Sequence, residues 1–246
     1  MPSDPPSDPP PGVGFEQVWA ALADVDGWMT EGQGRALFAA ASACPPSGRI
    51  VEIGSFQGRS TIVLASAAPD GVEVVAIDPH AGNDRGPQEI EGYAADAETD
   101  NARFEANLRR AGVRDRIRHL RMFADDALDH VDAVDVLYID GAHRYGPARS
   151  DIRRWGAKVG DGGALLIHDS FSSIGVTAAI LRELVASPRF RYVGRSRSLA
   201  IYRADPSTPR WSSAARQLAQ LPWFAKNVLV KVLISTKLLR GREWPY

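Results

Sequence analysis

Apolar positions along this chain repeat with two periods, and the changes between them mark out its elements. Short apolar runs at Arg49–Ile53, Val72–Ile77, Arg116–Met122, Val134–Ile139 and Ala164–Ile167 read as buried strands. A strand covered on both faces has no reason to alternate apolar with polar residues. Between the runs the spacing turns helical. Phe104 and Leu108 share a face within Asn101–Ala111, as do Val176, Ile180 and Leu184 within Val176–Val185. Further helices are predicted over Phe15–Val25, Glu31–Ala43, from the first strand to about Ala67, over Asp125–Val131 and over Pro147–Val159. Asp26-Gly27, Pro45-Pro46, Pro69-Asp70-Gly71 and Gly160-Asp161-Gly162-Gly163 punctuate them as turns. Arg191–Val193 and Leu199–Tyr202 read as a closing hairpin. Strands that alternate with helices predict an α/β fold with right-handed crossovers. The expected architecture is a Rossmann-like doubly wound, mostly parallel sheet with a C-terminal antiparallel hairpin, N-terminal helices and a basic helical tail.

Three segments stand outside that rhythm. Residues 1–14 are rich in Pro, Ser and Asp and lack both a basic and an apolar stretch, which predicts a disordered leader and no signal peptide. Residues 79–99 form an irregular acidic stretch, too long for an ordinary connection and therefore a lid candidate. Residues 205–246 make a tail to a domain spanning 15–204. From Arg210 onward the tail holds seven Lys/Arg against one acid, whereas the rest of the chain holds 22 against 29. Val228, Leu229, Val230, Val232, Leu233 and Ile234 interleave there with Lys226, Lys231 and Lys237, between Trp223 and Trp244. Packing on the core or on a second copy is the favoured role, with peripheral contact to an anionic inner membrane face as the alternative.

The turn after the first strand carries the most specific chemistry. Val51-Glu52-Ile53-Gly54-Ser55-Phe56-Gln57-Gly58-Arg59-Ser60-Thr61 joins a strand to a helix through two glycines four apart. Glycines there permit a tight bend and close backbone approach, and a helix start offers free N–H groups to an anion. The spacing is not the Gly-x-Gly-x-x-Gly of dinucleotide sites, and no Tyr-x-x-x-Lys pair exists, which argues against a nicotinamide reductase. Asp78 closes the second strand, where a carboxylate accepts both ribose hydroxyls. Together these residues predict a nucleoside-plus-carboxylate ligand, S-adenosylmethionine. Glu52, Gly54, Ser55, Gly58, Ser60, Thr61 and Asp78 are the expected cofactor residues, with Ala124 and Asp125 at the adenine edge.

The remaining strand ends add a second group. Asp140 and Asp169 end neighbouring strands, which run about 4.8 Å apart. Carboxylates that close invite a divalent cation, Mg²⁺ above all, or a proton between them. His143 follows Asp140 closely and is the expected general base; His168 competes for that role or for ligation. His80, His168 and Tyr145 are expected in the pocket, and Ser170 beside the metal. Sugar hydroxyls are poorly acidic and suit a base with a metal, and the acidic lid, with Tyr93 its one aromatic, suits a polar acceptor.

Composition narrows the setting. A net charge of −1 recruits no nucleic acid, and the single cysteine, Cys44, excludes an internal disulfide and fits a reducing cytoplasm.

Glu52-x-Gly54-x-x-x-Gly58, Asp78, Tyr138-Ile139-Asp140-Gly141-Ala142-His143 and Gly162-Gly163-x-x-x-x-His168-Asp169 occur in order. Over roughly Gly27 to Tyr202 the chain resembles the class I S-adenosylmethionine-dependent methyltransferases. More narrowly it looks like the small O-methyltransferase family related to macrolide-sugar and cephalosporin-pathway enzymes, with catechol O-methyltransferase more distant. The resemblance implies methyl transfer to a hydroxyl, with Asp78 on the cofactor ribose, Ser60 on its carboxylate, and Asp140 and Asp169 on the metal. His143 falls where the catechol enzyme places its base lysine. Ser170 stands where that enzyme supplies an amide ligand, and His168 where the macrolide enzymes show an acid. A small-molecule acceptor and a homo-oligomer complete the expectation, with a catalytically silent nucleoside-binding or scaffolding protein as the alternative.

Overall fold

A computed structural model describes residues 14–81, 94–207 and 209–235. Five parallel strands form its centre: β1 (Arg49–Ile53), β2 (Glu73–Ile77), β3 (Ile117–Leu120), β4 (Val134–Ile139) and β5 (Val159–Ile167). β6 (Phe190–Ser196) and β7 (Leu199–Ala204) add the antiparallel hairpin, and the order is β3-β2-β1-β4-β5-β7-β6. This is the expected Rossmann-like, doubly wound sheet with a C-terminal antiparallel hairpin. The order reverses between β1 and β4, which opens a crevice beyond the C-terminal strand ends.

Helices cover both faces: α1 (Phe15–Ala20), α2 (Glu31–Ser42), α3 (Arg59–Ala67), α4 (Ala94–Arg110), α5 (Tyr145–Gly156) and α6 (Ile174–Glu183). One face buries Val51, Leu137, Leu165 and Trp155 with α5 and α6. The other buries Ile50, Val74, Tyr138 and Leu166 with α1, α2, α3 and α4. Central strands are therefore apolar at most positions, as the apolar runs in the sequence predict. The tail continues as α7 (Arg210–Leu218) and α8 (Leu221–Ser235), with Trp223 and Phe224 packed against the core.

Several boundaries depart from expectation for local reasons. α1 ends at Ala20, five residues before Val25; the chain continues in tighter turns, Ala23 N–H to Ala20 O and Val25 N–H to Leu22 O, while the Arg59 guanidinium also donates to the Leu22 and Val25 carbonyls. α4 begins at Ala94, inside the expected irregular stretch, where alanines favour helix. The Gly160–Gly163 turn is instead a bulge within β5. Val134 pairs with Val159 and Val136 with Ala164, so the glycines are looped out opposite Asp135. The expected helix at Asp125–Val131 is a 3₁₀ segment, Asp126–His130. The leader up to residue 13, most of the lid (82–93) and the tail beyond 235 lie outside the described residues.

Candidate active site

Backbone bonds fix each polar residue at a strand end before any side chain acts. Asp78 N–H donates to Leu120 O (3.2 Å), Asp140 N–H to Ile53 O (2.8 Å) and His168 N–H to Ile139 O (2.9 Å). Each is held one residue beyond its strand, on one rim. Gly54 N–H likewise donates to Ile77 O at 2.9 Å. Its φ is +86°, and a Cβ there would lie 2.3 Å from the Asp140 carbonyl oxygen, so only glycine lets the β1 and β4 turns meet.

The β1 turn is tied to β2. Asp78 Oδ2 accepts from the N–H groups of Ser55 (2.8 Å) and Phe56 (2.9 Å), and Oδ1 from His80 N–H (2.8 Å). Three of the carboxylate's acceptor sites are filled by backbone, which orients it at the crevice and leaves capacity for a ribose hydroxyl. His80 and His119 are packed around Phe104. Burial pushes both imidazole pKa values down, so they are neutral. Ala124 accepts from the Trp155 indole at 3.1 Å through its carbonyl. Asp125 is held by Arg154 (2.8 Å) and Ser150 (3.0 Å).

Glu52 points into the protein and is fully buried. It accepts from both the Ser60 and the Thr61 hydroxyls at the start of α3. Those hydroxyls are therefore engaged within the protein, and the N-terminus of α3 at Gly58 (φ +90°) presents backbone. Burial, countered by the two hydroxyls, pushes the Glu52 pKa up to about 7.

Beyond β4 and β5 the two carboxylates converge on two imidazoles. His143 Nε2 is 2.9 Å from Asp169 Oδ2. His168 Nδ1 lies between the carboxylates, 3.2 Å from Asp140 Oδ1 and 3.4 Å from Asp169 Oδ2, though neither contact is aligned as a hydrogen bond. Burial opposes the His168 imidazolium, but Asp140 and Asp169 outweigh it and raise the pKa to about 10. Asp169 is buried too, yet His168 and His143 hold its carboxyl well below the usual range. A proton on His168 would place a positive charge beside both carboxylates. Ser172 donates to Asp169 Oδ1 at 3.0 Å. Asp169 and Phe171 both have positive φ (54° and 56°), a strained arrangement held by Ser170 N–H on Ser198 O and Ser172 N–H and Ser173 N–H on Asp169 O.

A ligand set is also present. One donor atom each from Asp140, His143 and Asp169 lies within 4.8 Å of the others, and mixed carboxylate and imidazole donors fit a divalent ion. The Ser170 hydroxyl instead donates to Ile167 O at 2.8 Å, so His143 is the third side chain beside the carboxylates. Tyr145, the first residue of α5, is solvent-exposed.

Tyr138 was not anticipated. Its hydroxyl donates to Asp140 Oδ2 at 3.0 Å, and burial together with Asp140 pushes the phenol pKa well up, so it remains a donor. The signal lay in strand periodicity: two residues before Asp140, it shares that residue's side of the strand.

The family model described as "Methyltransferase domain" matches residues 51–170, a stretch that includes all the strand-end residues above. Solved structures share its fold. The O-methyltransferase from Bacillus cereus, solved with SAH, is 21% identical at a TM-score of 0.55, covering 76% of this chain and 88% of that one. The O-methyltransferase TomG from Streptomyces achromogenes, involved in tomaymycin synthesis and solved with SAM, is 17% identical at 0.53, covering 78% and 89%.

Proposed function

We propose that the chain is an S-adenosylmethionine-dependent O-methyltransferase acting on a hydroxyl of a small polar acceptor, a sugar or glycosylated metabolite. The observation that carries the reading is the alignment of Asp78, Asp140, His143 and Asp169 on one rim of a methyltransferase fold. The relatives solved with SAM and SAH support the cofactor, and O-methyl transfer follows from their descriptions.

The residues divide the work between holding and proton transfer. Asp78 would take the ribose hydroxyls, and Gly54 and Gly58 would let backbone approach the methionine portion. When bound, the cofactor would supply an electrophilic sulfonium methyl for displacement by the acceptor oxygen, with the sulfide as leaving group. Alignment of the two partners provides most of the gain. Asp169 accepts from His143 Nε2–H, which fixes the tautomer and leaves Nδ1 to receive the acceptor's proton. A base so placed typically adds about 10²–10⁴-fold.

Asp140, Asp169 and His143 would hold a divalent ion such as Mg²⁺, which would supply Lewis-acid activation of the acceptor hydroxyl. His143 cannot give one nitrogen to an ion and a proton at once, so chelation separates the two modes. The exposed Leu229 and Val232 of α8 would be covered in a homo-oligomer. Calorimetric titration with S-adenosylhomocysteine, with Mg²⁺ and with chelator, tests the reading. Micromolar binding is expected, and absence of binding under every condition sinks it.

A further inference from the structure

α5 carries a carboxyl where its packing calls for an apolar group. Ala148, Ile152 and Trp155 form the buried face of this helix, and Asp151 stands among them. A helix docked on a sheet keeps its charges on the opposite face. Asp151 is only 6% exposed, and among the described residues no donor or cation pairs with its side chain. A carboxyl so placed costs free energy until something supplies a partner. Burial, reinforced by the charge of Asp125, raises its pKa to about 7.

Its position ties it to the crevice. A Cβ on Gly141 would lie 3.4 Å from Asp151 Oδ2 and 3.3 Å from Ile53 Cγ2. The carboxyl therefore reaches the place where the end of β1 meets the turn after β4, the point at which the strand order reverses. Neighbouring residues of α5 hold the loop after β3. Trp155 Nε1 donates to Ala124 O at 3.1 Å, Ser150 Oγ donates to Asp125 Oδ1 at 3.0 Å, and Arg154 lies 2.8 Å from the same oxygen. α5 thus bridges the two loops at the edge where the base of a bound nucleoside is expected, with Asp151 on the Gly141 side. Asp125 is half-exposed and already has partners there. Asp151 is buried and has none.

We propose that Asp151 reads the adenine base of the cofactor, its carboxyl pairing with the 6-amino group. This rests on the methyltransferase reading and names the residue that selects the base in the same site. An ionised carboxylate accepts from the amino group, and a protonated one can also donate to the neighbouring ring nitrogen, so either form complements adenine. A purine without the amino group would leave the buried carboxyl as unpartnered as before.

The test measures, by calorimetry, binding of SAH and of its purine-riboside analogue, which lacks only the 6-amino group. The wild type should bind SAH about tenfold or more tightly than the analogue, the usual worth of a hydrogen bond to a charged group. Asp151→Leu should bind the two alike, having lost affinity for SAH alone. Asp151→Asn, which keeps an acceptor, should retain part of the preference, and Asp125→Asn should behave as wild type. A purely structural role would weaken both ligands equally, so the difference between them separates recognition from folding. Urea unfolding gives a second readout: Asp151→Asn should be at least as stable as the wild type at pH 8, because it removes a buried charge that lacks a partner. If Asp151→Leu does not fold, Asp151→Asn and the wild type decide. Equal binding of the two ligands by the wild type, a preference undiminished in the Asp151 variants, or marked destabilisation of Asp151→Asn would each overturn the proposal. Failure of the wild type to bind SAH would strike the methyltransferase reading itself and the proposal with it.

Discussion

His143 Nε2 lies 2.9 Å from Asp169 Oδ2, linking the turn after β4 to the turn after β5. The pair orients the imidazole, and in the proposed mechanism its other nitrogen would take the acceptor's proton. His143→Ala should lower kcat by about 10²–10⁴-fold, the usual worth of a positioned base. Asp169→Asn should also lower it, by leaving the ring unoriented. SAH affinity, measured by calorimetry, should change little in either variant, because neither residue touches Asp78. A His143→Ala enzyme with wild-type kcat would remove the residue from the mechanism.

His168 lies within 3.4 Å of Asp140 and Asp169, and the two carboxylates raise its pKa to about 10, which favours an imidazolium there. A divalent ion must compete with it. Replacement by His168→Gln removes the charge and should tighten Mn²⁺ binding, read by titration calorimetry or electron paramagnetic resonance. A charge at such distances is worth on the order of kcal/mol even in a polar setting, so a tenfold or larger change is expected. Chelator should slow methyl transfer without much weakening cofactor binding. An enzyme indifferent to chelator, with Mn²⁺ bound no better by His168→Gln, would retire the metal role.

Gly54 and Gly71 share a left-handed backbone, with φ of +86° and +80°. They differ in surroundings. A Cβ on Gly54 would meet the Asp140 carbonyl oxygen at 2.3 Å, whereas one on Gly71 meets nothing within 4 Å. Gly71→Ala should therefore cost only the backbone term, about 1–2 kcal/mol. Gly54→Ala adds a clash with main chain that no rotamer can relieve. Denaturant unfolding should show a loss larger by about 2 kcal/mol or more, with SAH binding lost as well. Equal losses would mean that the β1 and β4 turns separate easily.

Much of the frame was legible because the physics there is local. Largely apolar runs marked β1, β2 and β4, and a polar residue closing each run marked the rim. Glycines at 54 and 58 marked the turn. What escaped was set by tertiary partners. Gly160–Gly163 looks like a turn in sequence, but its register against Val134 and Val136 makes it a bulge. The spacing of Ser60 and Thr61 likewise does not reveal that both hydroxyls donate to Glu52 behind them. The inward phase of Lys231 could not be read from the tail, because contacts of Trp223 with Arg195 of β6 and of Asn227 with Phe171 in the Asp169 loop outweigh hydrophobic periodicity.

Glu52 makes stability depend on pH in a sense opposite to an ordinary paired carboxylate. Its folded pKa is raised, from 4.5 to about 7, chiefly by burial. Between those values the folded chain holds a proton that the unfolded chain has released, so the unfolded state binds fewer protons and stability falls as pH rises. The contribution is fully present below about 4.5, declines through 7 and levels off above. The span corresponds to about 3 kcal/mol at 1.36 kcal/mol per unit. Glu52→Gln keeps the shape and hydrogen-bonding capacity beside Ser60 and Thr61 but carries no charge. Urea unfolding at pH 5 and pH 8 should show a smaller loss in Glu52→Gln than in wild type, by about 2–3 kcal/mol. Asp151 is also buried, and its pKa is likewise raised to about 7, but it is common to both proteins, so the difference isolates Glu52. Identical pH dependence in the two would show that Glu52 ionises in the folded protein at its ordinary value, and the Ser60 and Thr61 bonds would then be those of a fully charged carboxylate.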